Sequence, residues 1–358
     1  MPLDEAAAQG LVARLAAARR PLVLCGPASA TATGRARMAA LEGATGVPVI
    51  AMESPRGIAD PSLGAFGQAL AQADVVLLLG KRLDFTLRFG AAPAIDAACE
   101  FLQVDAEGLE IERTRRAVGP RLVQHAKADA ASALVALQRA ARGGDASHDA
   151  WRAEVASAIR YRPAAWEGAR ASIEGRLHPV EALRPVQAIL DAHPEAVLVC
   201  DGGEFGQWAQ ACLAARHRVI NGVAGSIGSA LPFAVAARMA KPQAPVIAVL
   251  GDGTFGFHPA EIDTAVRYAA PFVAVVGNDA RWNAEYQIQV RDYGAERAVG
   301  CELLPTRYDQ VAVGFGGHGE RVTRAADMAA ALERAIASNR PAVIDVLVEG
   351  HPAPNLRR

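Results

Sequence analysis

Ten short apolar runs, each flanked by a stretch with helical spacing or a turn, constrain this chain more than any other feature. "PLVLCG" (21–26), "VPVIA" (47–51), "DVVLLLG" (74–80), "FLQVD" (101–105) and "RLVQHA" (121–126) occupy the first half. "AVLVCDGG" (196–203), "HRVING" (217–222), "PVIAVLGDG" (245–253), "PFVAVVGND" (271–279) and "PAVIDVLVE" (341–349) occupy the second. Most are apolar throughout rather than alternating. A strand can be apolar on both faces only if both are covered, which calls for a parallel sheet between helical layers. The connecting segments agree. "TGRARMAALEGATG" (33–46) has helical spacing and closes on glycine, and "LPFAVAARMA" (231–240) is a second helix. "PAEIDTAVRYAA" (259–270) has Pro259 in its first turn, Glu261 and Asp263 early, and Ile262, Ala265, Val266 and Ala269 on one face. The expected fold class is α/β, with two doubly wound parallel-sheet domains.

Residues 143–177, "GGDASHDAWRAEVASAIRYRPAAWEGARASIEGRL", break the alternation and are followed by His178-Pro179. They read as a linker containing a helix, between a domain over 1–142 and another over 178–358. Hydrophobic residues make up 51% of the 358, enough for two cores. The net charge of -1 leaves no basic field for nucleic acid or an anionic membrane. No apolar run approaches the roughly 18 residues of a spanning helix. The five cysteines form no CxxC pair, which excludes a zinc site and a disulfide framework. With no signal-peptide core in "MPLDEAAAQG", the expected location is the cytoplasm.

Two acidic residues, Asp252 and Asp279, each end an apolar run, 27 positions apart. In a right-handed βαβ unit both strands end on one edge of the sheet, and open α/β sheets bind ligands beyond that edge. Two carboxylates, a backbone carbonyl and phosphate oxygens suit Mg²⁺, which takes six oxygens at about 2.1 Å. Gly251 and Gly253 let backbone approach a phosphate, and Thr254 adds a hydroxyl. A bare Gly-Asp-Gly is equally an ordinary βα turn with a capping aspartate.

The stretch from Gly251 to Asp279 resembles the GDG…NN cofactor signature of thiamine-diphosphate enzymes. The similarity extends over nearly the whole chain, through "HP" (178–179), "DGGEFGQW" (201–208), "GVAGSIGSALPFAVAA" (222–237) and "NRPAVIDV" (339–346). Residues 178–350 look like the diphosphate-binding domain of the acetolactate synthase and benzaldehyde lyase group, and 4–142 like that group's Rossmann-like central domain. The resemblance implies Asp252 and Asp279 as Mg²⁺ ligands, with Asp279 where the family has Asn, and the main-chain carbonyl of Arg281 completing the shell. It puts Gly202, Gly203 and Glu204 at the diphosphate. "GSIG" (225–228) matches the family's GSMG: Gly225 would receive the aminopyrimidine's amino group, Ser226 lies beside it, and Ile227 would wedge beneath the thiazolium and bend the cofactor.

Such enzymes also need an N-terminal pyrimidine-binding domain with an activating glutamate, and no counterpart to it is found in these residues. The expectation is a split enzyme: a separate pyrimidine-domain subunit, pairing into a heterotetramer. Central domains of relatives hold FAD, an ADP or CoA nucleotide, or nothing. Here "CGPASATATG" (25–34) lacks a GxGxxG pattern, Asp105 ends a strand where an acid can hold a ribose, and Arg82, Arg88 and Arg113 can meet a phosphate. Candidate substrate-facing groups are Trp282, Asn283, Glu285 and Gln287, with Glu285 and His258 as candidate acid–base residues. The implied reaction makes or breaks a C–C bond beside a carbonyl, on a 2-keto acid as in acetolactate synthase or on a 2-hydroxyacyl compound as in 2-hydroxyacyl-CoA lyase or oxalyl-CoA decarboxylase. The rival of another class is a cofactor-binding regulatory subunit without catalysis.

Overall fold

All ten apolar runs are strands of two all-parallel sheets in the computed structural model, which describes residues 1–141, 143 and 146–358. They fall in two units, Met1–Arg162 with Leu356–Arg358, and Pro163–Asn355.

The first unit holds β1 (Pro21–Cys25), β2 (Val49–Ala51), β3 (Val75–Leu79), β4 (Glu100–Asp105) and β5 (Leu122–Lys127), in the order β2-β1-β3-β4-β5. Successive side chains of a strand point to opposite faces. Leu22, Leu24, Val76 and Leu78 therefore enter one core, and Val23, Cys25, Leu77 and Leu79 the other. This is why the runs are apolar at every position.

The second unit holds β6 (Val197–Cys200), β7 (His217–Ile220), β8 (Val246–Gly251), β9 (Val273–Asn278), β10 (His318–Val322) and β11 (Ala342–Leu347). Their order is β10-β11-β9-β8-β6-β7. Leu198, Ile247 and Val249 face one layer of helices, and Val197, Ala248 and Leu250 the other. Strand β10 has no counterpart among the ten apolar runs. Its sequence, HGERV, is polar because it forms a sheet edge and buries only Val322 fully.

The segment 143–177 is largely integrated into the two units. Its helix Asp149–Arg160 buries Trp151, Val155 and Ala158 in the first unit's core, and Trp151 Nε1 donates to Pro21 O at 2.8 Å. Leu177, at its far end, bridges to Val348 in the second unit. The expected boundary at 142/143 abuts Arg142, Gly144 and Asp145, which lie outside the described residues. The helix expected over 259–270 is shorter, Glu261–Arg267, with Pro259 ahead of it. Ile262 and Ala265 are buried as expected, but Ala269 is exposed at φ 47, where the chain has left the helix.

Strands β8 and β9 are hydrogen-bonded neighbours with Gly251 opposite Gly277. Asp252 and the Asn278-Asp279 pair therefore emerge side by side from one edge. Gly277 cannot carry a side chain, because a Cβ there would lie 2.3 Å from the Phe205 ring.

Candidate functional site

Asp252 is 2% exposed at the start of a single helical turn, Asp252–Phe255. Its Oδ1 accepts from Gly253 N at 2.8 Å, while its Oδ2 is buried with no hydrogen-bond partner among the described residues. Burial raises its pKa, with the Gly253 N–H bond opposing the shift. Asp279 is half-buried, and burial followed by the charge of Asp252 raises its pKa too. An unpartnered buried carboxylate oxygen beside a second carboxylate is costly unless a cation or proton joins them. No cluster of three or more His, Cys, Asp or Glu suited to a metal occurs among the described residues. A metal held here would therefore draw further oxygens from backbone or ligand.

Backbone geometry offers one such oxygen. Trp282 N donates to Cys301 O and Leu303 N to Ala280 O, both at 2.8 Å, so Arg281 forms an antiparallel bridge with Glu302. In such a bridge the two polar backbone groups of Arg281 itself turn the other way. Its N–H accordingly turns toward the two carboxylates. Its guanidinium lies 4.3 Å from the Tyr286 ring centroid, and its charge opposes the rise at Asp279.

The glycine loop is pinned by a residue that sequence reasoning missed. Asp201, fully buried after β6, accepts from Gly202 N at 2.7 Å and Gly228 N at 3.1 Å through Oδ1, and from Ala230 N at 2.7 Å through Oδ2. Burial raises its pKa and these hydrogen bonds oppose the shift. Asn221, also missed, donates through Nδ2 to Ser226 O at 3.3 Å. Both sit in quoted motifs, but their partners are five or more residues away in the chain, except for Gly202. Gly202 accommodates Ile227: a Cβ on Gly202 would lie 2.6 Å from Ile227 Cγ2. Gly225 and Gly228 take φ of 72 and 96, open to glycine and strained for other residues. Ser229 Oγ is buried with no hydrogen-bond partner among the described residues. The loop is thus a backbone cradle with few side chains.

The other named residues distribute as follows. Gly203 comes against Thr254, since a Cβ on Gly203 would lie 3.5 Å from Thr254 Oγ1. Glu204 lies in the first turn of the helix Gly203–Cys212 and accepts from Gln207 Nε2 at 3.2 Å. Trp282 lies across Gly253, where a Cβ would be 2.8 Å from its ring. His258 is exposed, with Nδ1 2.8 Å from Gly228 O. Since a carbonyl only accepts, Nδ1 carries the proton and Nε2 is left as the acceptor. Asn283 and Gln287 turn to the chain after β11, donating to His351 O at 3.0 Å and Gly350 O at 3.2 Å. Glu285 is exposed on the same helix, Asn283–Tyr293, away from the carboxylate pair's hydrogen bonds.

In the first unit, Arg82 and Arg113 pair with the buried Glu110, at 3.5 and 2.5 Å. Asp105 accepts from Glu107 N at 2.9 Å. Lys81 is buried with Nζ 2.6 Å from Thr86 Oγ1 and 3.6 Å from Asp84. Arg88 takes φ 50. No helix among the described residues is long and apolar enough to cross a membrane.

Comparison with known proteins agrees with this layout. Residues 201–346 match the C-terminal TPP binding domain of thiamine pyrophosphate enzymes, and residues 8–137 match their central domain. A probable acetolactate synthase of Mycobacterium bovis is 33% identical over 344 residues, 94% of this chain and 60% of its own length. The human 2-hydroxyacyl-CoA lyase 2 is 29% identical over 326 residues, 88% of this chain and half of its own. The chain thus spans between one half and two thirds of the length of these relatives. In fold, it matches a thiamine diphosphate-dependent 4-hydroxybenzoylformate decarboxylase of Rhodococcus jostii with a TM-score of 0.75 at 20% identity, covering 97% of this chain and 65% of that one. With both domain models matched in order and two parallel-sheet units beneath them, the chain belongs to the thiamine pyrophosphate enzymes, of which it carries the central and the C-terminal TPP-binding domains.

Proposed function

We propose that this chain is a catalytic subunit of a thiamine-diphosphate- and Mg²⁺-dependent enzyme that makes or breaks a C–C bond next to a carbonyl, in the manner of acetolactate synthase. The observation that carries the reading is the buried, unpartnered Oδ2 of Asp252 beside Asp279, at the strand edge where a glycine cradle opens. The residues fit the cofactor's anionic end. Asp252, Asp279 and the carbonyl of Arg281 would hold Mg²⁺, while Gly202, Gly203, Glu204, Gly251, Gly253 and Thr254 would line the diphosphate site. Gly225, Ser226 and Ile227 would lie under the rings, with Ile227 seated on Gly202. Bound thiamine diphosphate supplies the carbanion chemistry. Proton handling falls to His258, which presents Nε2, and to Glu285, once a partner covers their exposed side chains.

The pyrimidine-activating glutamate is proposed to come from a partner chain, two copies of each forming a heterotetramer. A cytoplasmic location is part of the same proposal. Two measurements test the proposal. In the assembled enzyme, Asp252→Ala should weaken Mg²⁺-dependent cofactor binding by roughly 100-fold or more, since outer partners of a metal alone carry 10–100-fold. Turnover retained by that variant would favour the regulatory subunit instead. Full turnover by this chain without any second polypeptide would remove the partner.

The likeness to 2-hydroxyacyl-CoA lyases supports a second reading, a 2-hydroxyacyl-CoA lyase or oxalyl-CoA decarboxylase-like subunit. It requires a nucleotide in the central domain, whether ADP or CoA, as FAD would serve in other relatives. The pairing of Arg82 and Arg113 with Glu110 leaves less cationic charge for phosphates there. Calorimetry with ADP and CoA separates the readings: heat of binding selects the CoA branch, and its absence selects the keto-acid branch.

A further inference from the structure

Asn278 precedes Asp279 and is committed elsewhere. It is 1% exposed. Its Nδ2 donates to Asp345 Oδ1 at 2.9 Å and to Thr306 O at 3.1 Å, and its Oδ1 accepts from Ala280 N at 3.3 Å. Two acceptors at one end and a donor at the other fix which way the amide points. Asp345, fully buried in β11, accepts from Arg321 Nε of β10 at 2.9 Å and from its Nη2 at 2.5 Å. Arg321 Nη2 also donates to Thr306 O at 2.6 Å. A row of three polar side chains, Arg321, Asp345 and Asn278, therefore crosses β10, β11 and β9 beneath the edge where the two carboxylates emerge.

The row ends on a strained turn. Ala280 takes φ 59, a left-handed conformation that a residue with a Cβ adopts only when its surroundings hold it. The hydrogen bond from its N–H to Asn278, and that from Leu303 N to its carbonyl, hold it there. Asp279 lies between these two fixed residues, so the turn sets its direction.

We propose that Arg321, Asp345 and Asn278 are positioning residues for the metal site: they lock the 278–281 turn so that residue 279, and never residue 278, faces Asp252. This rests on the reading of Asp252 and Asp279 as metal ligands. The order of the two residues then matters more than their composition. Exchanging them in N278D/D279N keeps charge and atoms, yet puts a carboxylate against the buried Asp345 in place of the donor it needs.

The test measures Mn²⁺ bound to the full-length chain in the presence of thiamine diphosphate, by electron paramagnetic resonance, with the thermal midpoint of each metal-free variant alongside. N278A leaves the Arg321–Asp345 pair intact and should bind Mn²⁺ 10–100-fold more weakly than wild type, the range of outer partners of a metal. N278D/D279N should bind at least tenfold more weakly than D279N alone, which keeps Asn278. D345A, which removes the acceptor of Asn278 Nδ2, should lose affinity as well. Wild-type affinity in N278A and D345A would overturn the inference. Failure of the folded wild-type chain to bind Mn²⁺ at all would instead remove the metal reading, and the inference with it.

Discussion

Burial holds Asp252 and Asp279 above the ordinary carboxylate range, and the charge of Asp252 adds to the shift at Asp279. A carboxyl whose pKa is higher folded than unfolded favours folding at and below the unfolded value near 4. That contribution is lost as pH rises through the folded value. The metal-free chain should therefore lose stability as pH rises from about 4 into the neutral range. D279N removes one charge of the pair and should raise the metal-free melting midpoint at pH 8 by roughly 2–4 °C, about 1 kcal/mol in a unit of this size, with little gain at pH 4. A scan of midpoint against pH for both proteins checks this. Asp201 should behave oppositely on truncation: D201A strands the N–H groups of Gly228 and Ala230 and should cost about 2–3 kcal/mol in a denaturant titration. At this scale the sequence yielded Asp252, Asp279 and the cradle glycines, because each sits at a strand end with a local pattern. Asp201, Asn221, Asn278 and Asp345 act on partners mostly brought close only by the sheet, so spacing carried no signal for them.

Among elements, the chain that follows β11 ties several pieces of the second unit together. Glu349 Oε1 accepts from Ser172 N, Ser172 Oγ and Ile173 N, and its Oε2 faces His351 Nε2 at 3.0 Å. Burial alone would raise this carboxyl, but the bonds from Ser172, His351 and Ile173 outweigh it and hold it at about 2. The resulting stability is present above the unfolded value near 4.5 and is lost as pH falls toward 2. E349Q should lower stability at pH 7 by about 2 kcal/mol and flatten the acid limb between pH 4.5 and 2, as read by circular dichroism. A Cβ at Gly350 in the same segment would lie 3.1 Å from Asp279 Oδ2, so a side chain there crowds that carboxylate. Strands proved legible wherever both faces were covered. Edge strand β10 has no such constraint, and nothing in HGERV distinguishes it from a loop. The helix of segment 143–177 carried a visible period, but its polar flanks hid the fact that Trp151 belongs to a core.

Across the whole molecule, the two units differ in what they hold in readiness. In the first, Arg82 and Arg113 pair with Glu110, while the second sets the Asp252 and Asp279 carboxylates at the strand edge beside the glycine cradle. Thiamine diphosphate with Mg²⁺ should accordingly slow amide hydrogen exchange in peptides from 201–346 and leave those from 8–137 unchanged, measured by mass spectrometry on the intact chain. Comparable protection in both ranges would show that the first unit also takes part. The indole of Trp282 adds an optical consequence. Its ring packs against Gly253, with the Phe257 ring 5.8 Å away in an edge-on arrangement, whereas Trp166 and Trp208 meet at a tilt with centroids 5.0 Å apart and Trp151 is buried in the first core. Of four emitters, one alone touches the turn that carries Asp252. Its fluorescence is a built-in gauge of occupancy, and a Trp282→Phe chain supplies the blank against which that signal is read.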